Sequence, residues 1–371
     1  MKGRLFIVIK IIVLSSLLSS ATTEAQILKD SATLILIRKD IDHIYNFEFD
    51  KARDQFEEIA NLYPDHPIVF LLRGIAIYWE NYPLLPTEPS HELFEEAMYQ
   101  CIELSEKNKH AAYESEYLLA NLCARGMLLM FYSDNDQISD VIPLTISSYK
   151  YLRKSFFFTS TCTDLYYFTG LYNYYREAYP KEYPVYKSLA MLFPPGSMEA
   201  GLKELQTCAM RAVVLGPESY YLLTWIYMNF ENNCPSSLVY SKKLIELYPA
   251  NALYKATFIK NLFLLKKYDE AERFLPVPDE EEVNRYLRSQ ILIFNGLLQE
   301  KKYRNYDLAL EYYNKGIHEI SFSGEYGNEY AAYAYFGLAR ISESNGDNHA
   351  ARIYRNQASR LAEFKKINFN K

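Results

Sequence analysis

A chain of 371 residues, 49% hydrophobic and 23% charged, carries ample apolar material for a sizeable core and is not globally disordered. Thirteen glycines and fifteen prolines are too few for a collagen-like, low-complexity or turn-rich all-β chain. A formal net charge of -6, with no basic run in the body of the chain, argues against nucleic-acid binding and against attraction to anionic lipid.

The N-terminus has the order of a secretory signal: basic Lys2 and Arg4, an apolar stretch over residues 5–18, then the small-residue run SSATTEAQ. Cleavage before Gln26 would place Thr23 and Ala25 at the third and first positions upstream of the cut, and Ala21 offers a second site. The apolar stretch is shorter than the roughly 20 residues a membrane span needs. The expectation is therefore a signal peptide over 1–25, an exported periplasmic or secreted protein, and no stable membrane insertion after cleavage. The first cysteine is Cys101, too far along for a lipid-modified N-terminus.

Residues 26–135 read as helical hairpins. FEFDKARDQFEEIANLYPDHP carries Ala52 and, twelve residues on, Pro64. PIVFLLRGIAIYW places Gly74 behind an apolar run, PSHELFEEAMYQCIELSEKN has a helix-opening signature, and HAAYESEYLLANLCARGMLLMFY repeats its apolar residues at three and four.

The stretch 136–216 reads differently. Tyr166, Tyr167, Tyr172, Tyr174, Tyr175, Tyr179, Tyr183 and Tyr186 crowd around Phe168, Pro180 and Pro184 interrupt the helix, and Pro194, Pro195 and Gly196 turn the chain before a new helix at Ser197 with Glu199 in its first turn. Tyrosine joins an apolar body to a polar tip, so this segment suits either a half-wet hairpin core or an aromatic ligand platform. On the second alternative, Tyr167, Asn173, Tyr174, Tyr175 and Arg176 combine ring faces with hydrogen-bonding groups and form the candidate ligand or partner site.

From 217 to 371 hairpins resume. Ser237 precedes Pro249 by twelve residues and Ala271 follows Ser237 by 34; YDLALEYYNKGI centres on Ala309 and Tyr313, and NGDNHAARIYRNQASRLAE carries Gly346, Ala351 and Ala358. These units resemble the tetratricopeptide repeat, a 34-residue helix-turn-helix unit with small eighth and twentieth residues and a closing proline. In the last unit the resemblance extends to Tyr335, Leu338 and Ala339. It implies an all-α, superhelical solenoid of antiparallel helix pairs that offers a concave surface to a protein or peptide partner. Two departures make the repeats degenerate: the steps from 271 to 309 and from 309 to 351 are longer than 34, and the helices near 33–48 and 252–264 lack the pattern's glycine. GLYNYY followed by LFPPGSMEAGLKEL is similar to a segment of bacterial exported tetratricopeptide proteins. On Gly170, Pro195, Gly196, Gly201 and Leu202 it is also similar to a eukaryotic tetratricopeptide family associated with inclusion-body clearance, which implies shared packing.

Chemistry-bearing motifs are missing from the sequence. His43, His66, His91, His110, His318 and His349 include no pair at metal-binding helical spacing, and HExxH, GxSxG, GxGxxG and the P-loop pattern do not occur. Cys101, Cys123, Cys162, Cys208 and Cys234 are widely spaced and odd in number, the pattern of small buried residues rather than a disulfide framework or zinc site; Cys162 stands far from any histidine in sequence. Asp279, Glu280, Glu281 and Glu282 read as a solvated helix start. No cofactor, no metal site and no catalytic residue is expected. The function expected is a non-catalytic interaction scaffold, with a small-molecule or glycan binder as the alternative.

Overall fold

The computed structural model describes Ile27 and residues 30–107, 113–276 and 284–362. The segment 1–25, expected from its sequence to be a signal peptide, and also His110 and the acidic run 279–282, lie outside the described residues. Within them the protein is all-helical, 81% helix with no strand.

Sixteen helices follow one another as eight pairs: α1 (Ser31–Tyr45) with α2 (Phe49–Leu62), α3 (Pro67–Glu80) with α4 (Ser90–Lys107), α5 (Glu114–Asp134) with α6 (Ile138–Ser155), and α7 (Tyr166–Glu182) with α8 (Met198–Arg211). The second half repeats the scheme: α9 (Gly216–Asn229) with α10 (Cys234–Leu247), α11 (Ala252–Leu264) with α12 (Tyr268–Phe274), α13 (Arg285–Leu298) with α14 (Tyr306–Ile320), and α15 (Asn328–Ser344) with α16 (Asn348–Leu361). The two helices of each pair pack side by side. The borders expected at 135/136 and 216/217 fall at the α5–α6 turn and at the start of α9, and helices pack across both.

Six of the pairs close with one turn residue in the left-handed region: Phe47 (φ 59°), Asp136 (56°), Asn232 (49°), Lys266 (57°), Arg304 (58°) and Gly346 (80°). After Phe47, Asp136, Lys266 and Gly346 the next amide reaches back five residues to a helix carbonyl, as in Glu48 to His43 at 2.9 Å and Asp347 to Ser342 at 2.9 Å. This closure satisfies carbonyls that the ending helix leaves unpaired. Only Gly346 adopts such a φ freely, so the turn writes almost no glycine into the sequence. Five residues beyond each turn stand Ala52, Val141, Ser237, Ala271, Ala309 and Ala351. All but Val141 are at most 3% exposed. At Ser237 the side chain meets the paired helix directly, its Oγ donating to the Thr224 carbonyl of α9 at 2.7 Å.

The odd-numbered helices α3, α5, α11, α13 and α15 are buried on most of their faces, whereas α2, α10, α12 and α16 bury a single stripe. The odd helices therefore form an inner layer. The first pairs also return to the second half. Asn251 caps α11 through its Oδ1, at 3.0 Å from the Tyr254 amide, while its Nδ2 donates to the Tyr45 carbonyl at 2.8 Å. Asn284 does the same for α13, capping Leu287 at 2.9 Å and donating to the Tyr82 carbonyl at 2.8 Å. Tyr248 Oη donates to Asp42 at 3.1 Å.

The middle pair is fixed by glycine. A Cβ on Gly201 would meet the Tyr174 amide at 2.6 Å and the Gly170 carbonyl at 2.7 Å, so α7 and α8 touch backbone to backbone. α7 does not stop at Pro180 but runs two residues further, the proline sitting in its last turn. Buried Asp164 holds the α8–α9 connection, accepting from the amides of Val213 (3.0 Å), Val214 (2.7 Å) and Leu215 (2.8 Å). Burial still outweighs those amides and holds its carboxyl above the usual range.

Candidate functional site

Helix α7 presents the residues singled out in the sequence in two directions. Tyr174 is fully buried, its Oη donating to Glu231 at 2.5 Å. Asn173 donates to Glu204 at 3.0 Å. Arg176 donates to the Phe193 carbonyl from Nε (3.3 Å) and Nη2 (3.2 Å) and to Glu177 from Nη1 (3.2 Å), so it pins the loop before α8. Tyr175 stacks edge-on against Phe230, centroids 5.2 Å apart. Tyr167, half-buried, faces the inner layer, where the Glu218 charge acts on its phenol. The five share a helix, but the polar groups of Asn173, Tyr174 and Arg176 are engaged within the protein.

The inner face is a field of aromatic rings gathered from different pairs. Tyr45 of α1 lies 5.8 Å from Trp79 of α3 and 6.1 Å from Tyr248; Tyr248 lies 6.0 Å from Tyr254 of α11, and Tyr254 5.9 Å from Tyr221 of α9. Tyr82 extends the field to Tyr286 at 5.8 Å and Tyr326 at 5.5 Å. Three carboxylates face it: the charges of Glu329, Glu218 and Asp134 all act on the Tyr221 phenol. Glu329 is paired with Lys260 at 2.6 Å and accepts from Tyr333, and the Lys260 ammonium stands 5.4 Å from the Tyr333 ring centre. Glu218 accepts from Tyr45 Oη at 2.6 Å. Burial pushes its carboxyl up, the Tyr45 hydrogen bond opposing. No local pattern announces Glu218 or its rings, because α1, α3, α9 and α11 are far apart in sequence.

A second surface lies on the outside. Helix α6 is tied inward by polar contacts: Arg125 of α5 donates to Ser147 at 2.7 Å and to Glu106 at 2.8 Å, and Tyr151 donates to Glu106 at 2.5 Å. Its outer face carries Ile138, Ile142 and Ile146, exposed at 60%, 56% and 71%. A surface helix ordinarily turns polar residues outward. Tyr149, one turn beyond Ile146, packs on Phe193 with centroids 5.0 Å apart, so the stripe continues into the segment carrying Val185, Leu189, Met191 and Leu192, all more than half exposed.

The groups that could support catalysis are dispersed. The five cysteines are free, all but Cys234 buried, and burial pushes the Cys162 and Cys101 thiols up to about 12, away from the thiolate a nucleophile needs. Among the described residues no group of three or more His, Cys, Asp or Glu side chains could hold a metal ion, and no helix is long and apolar enough to cross a membrane. Compared with known proteins, the chain matches no family and none of the curated proteins.

Proposed function

We propose that the protein is an exported, non-catalytic interaction protein, built as a superhelical solenoid of degenerate tetratricopeptide-type hairpins, whose partner docks on the outer apolar stripe of α6 and the adjoining segment 185–193. The stripe carries the reading: three isoleucines stand on successive turns of one helix face, each more than half exposed, where a surface helix ordinarily turns polar residues outward. The repeat type is supported by the recurring left-handed turn and the small residue five positions beyond it. Export is supported by the basic, apolar and small-residue order of 1–25. Because rings occupy the inner face, the partner surface is placed outside rather than in the concave groove.

The test compares affinity purification of the full chain from envelope extract with that of the double variant Ile142→Asp, Ile146→Asp, folding being checked by circular dichroism. A protein retained by the wild type and lost from the variant is expected. Recovery of the same proteins by both, or of none by the wild type, overturns the reading. The other reading, a small-molecule or glycan binder centred on the tyrosine-rich middle, retains Tyr167, which faces the inner layer.

A further inference from the structure

We propose that the partner segment seated on the α6 stripe is an amphipathic helix with an acidic first turn, lying antiparallel to α6. The proposal rests on the docking reading above and adds the chemistry and direction of what docks. Of the 18 residues of α6, Ser155 alone is buried, and the short helical turns over 184–190 bury none. Tyr172 of α7 joins these two stretches. Its ring lies 6.5 Å from that of Tyr149 and 5.8 Å from that of Phe156, at the end of α6, and its hydroxyl donates to the Pro194 carbonyl at 2.6 Å. The C-terminal end of the stripe is thereby tied to the segment before α8.

Charge at that junction runs against the rest of the molecule. Residues 149–158 carry Lys150, Arg153 and Lys154 and no carboxylate, and residues 181–193 carry Lys181 and Lys187 against Glu182, in a chain whose formal charge is -6. The neighbouring carboxylates are engaged: Glu114 by Lys154, Glu106 by Arg125 and Glu177 by Arg176. Among the described residues no carboxylate pairs with Lys150, Arg153 or Lys187, and all three are exposed. Lys150 and Arg153 stand four and seven residues beyond Ile146, so both continue its face of the helix. Asp140, two residues from Ile138 and from Ile142, does not share that face.

These placements select the occupant. No strand is present among the described residues, so a partner strand finds no edge to extend. Isoleucines one turn apart form a ridge that packs against the corresponding ridge of another helix. From Ile138 to Arg153 the face is ~22 Å long, which a helix of about 15 residues matches. An antiparallel helix brings its N-terminal turn to Lys150 and Arg153. Carboxylates are favoured in that turn and there meet the two cations. A second copy of α6 laid the same way would offer Ile138 to them, with its Asp140 turned aside.

Fluorescence anisotropy of two labelled peptides titrated with the folded full chain tests the assignment. Both are leucine-striped amphipathic helices of about 16 residues, one with glutamates in its first turn and one with lysines there. Saturable binding of the glutamate peptide is expected, at least about tenfold tighter than that of the lysine peptide and weakened by added salt. The variant Lys150→Glu, Arg153→Glu, its folding checked by circular dichroism, should reverse the preference, and Ile142→Asp, Ile146→Asp should lose the glutamate peptide. No binding of the glutamate peptide, equal binding of the two, or a preference that the charge reversal leaves unchanged overturns the proposal. Sedimentation with phosphatidylglycerol vesicles, or a dimer in light scattering, overturns it in favour of a membrane or a second copy if Ile142→Asp, Ile146→Asp abolishes it. Where any of these results stands beside an envelope protein still lost from Ile142→Asp, Ile146→Asp, the docking surface survives and its acidic partner does not.

Discussion

Glu300 and Glu218 are both carboxylates withdrawn from bulk water, one at the C-terminal end of the molecule and one at its centre, and their surroundings are opposite. Glu300 receives Arg340 at 2.7 Å and 2.8 Å and the Tyr313 hydroxyl at 2.7 Å. Burial alone would raise its carboxyl, but Arg340 holds it below the usual range. The Tyr313 ring is clamped between two glycines: a Cβ on Gly296 would lie 2.6 Å from it and one on Gly337 2.3 Å. Every element of that cluster is satisfied, so the cluster joins α13, α14 and α15 into one packed block. At Glu218 the ring density is as high, but the charge is met by one phenol, and Tyr254 beside it bonds to nothing. The difference separates a carboxylate clamped by a cation and a phenol from one held by a single phenol.

The sharpest way to break the comparison is Arg340→Met. It leaves Glu300 buried without its cation, and a loss of about 3–5 kcal/mol in urea unfolding is expected. A loss below about 1 kcal/mol would mean that the triad is not the clamp described.

Asp40 of α1 belongs with Glu218 rather than Glu300. It is fully buried, neither carboxyl oxygen has a partner, and burial pushes it up to about 7. The folded state then holds a proton that the unfolded chain releases from about pH 4 upward, so stability falls as pH rises toward 7 and is level above it. Asp40→Asn should therefore stabilise the protein at pH 8 by roughly 2–4 kcal/mol, the gain vanishing by about pH 4. Thermal melts at both pH values check this, and an equal effect at the two would exclude the titration as its cause.

Gly337→Ala should cost about 1–3 kcal/mol, because the added methyl strikes a ring already held from the other side. A melt unchanged from the wild type would show that the Tyr313 ring can move aside. Glu218→Gln should change stability by less than about 1 kcal/mol in either direction. A loss as large as that of Arg340→Met would place Glu218 with the structural carboxylates and erase the contrast. Ile142→Asp, exposed on α6, should fall within about 0.5 kcal/mol of the wild type in stability, so a large destabilisation would show that the stripe is core rather than docking surface.

Some of this was legible in the chain. The spacing singles out Ala52, Ser237, Ala271, Ala309 and Ala351, and all five are buried, at most 3% exposed. Gly170 and Gly201 were likewise visible and do meet. The turns themselves were not, since Phe47, Lys266 and Arg304 adopt the left-handed region without being glycine. Of the candidate site residues, Tyr167 faces the inner layer, whereas the polar groups of Asn173, Tyr174 and Arg176 meet Glu204, Glu231 and the Phe193 carbonyl. Composition revealed the tyrosines but could not reveal which of them converge.

By itself the sequence determined the all-helical class and the places where helices pair, because period, caps and small residues act within a few turns of the chain. The tertiary structure alone decided that Tyr45, Tyr167, Tyr221 and Tyr254 gather about Glu218 and that α6 turns isoleucines outward. Those placements depend on how successive pairs rotate and return on one another, through bonds such as Asn251 to Tyr45 that join residues about two hundred positions apart, a separation that no local pattern encodes.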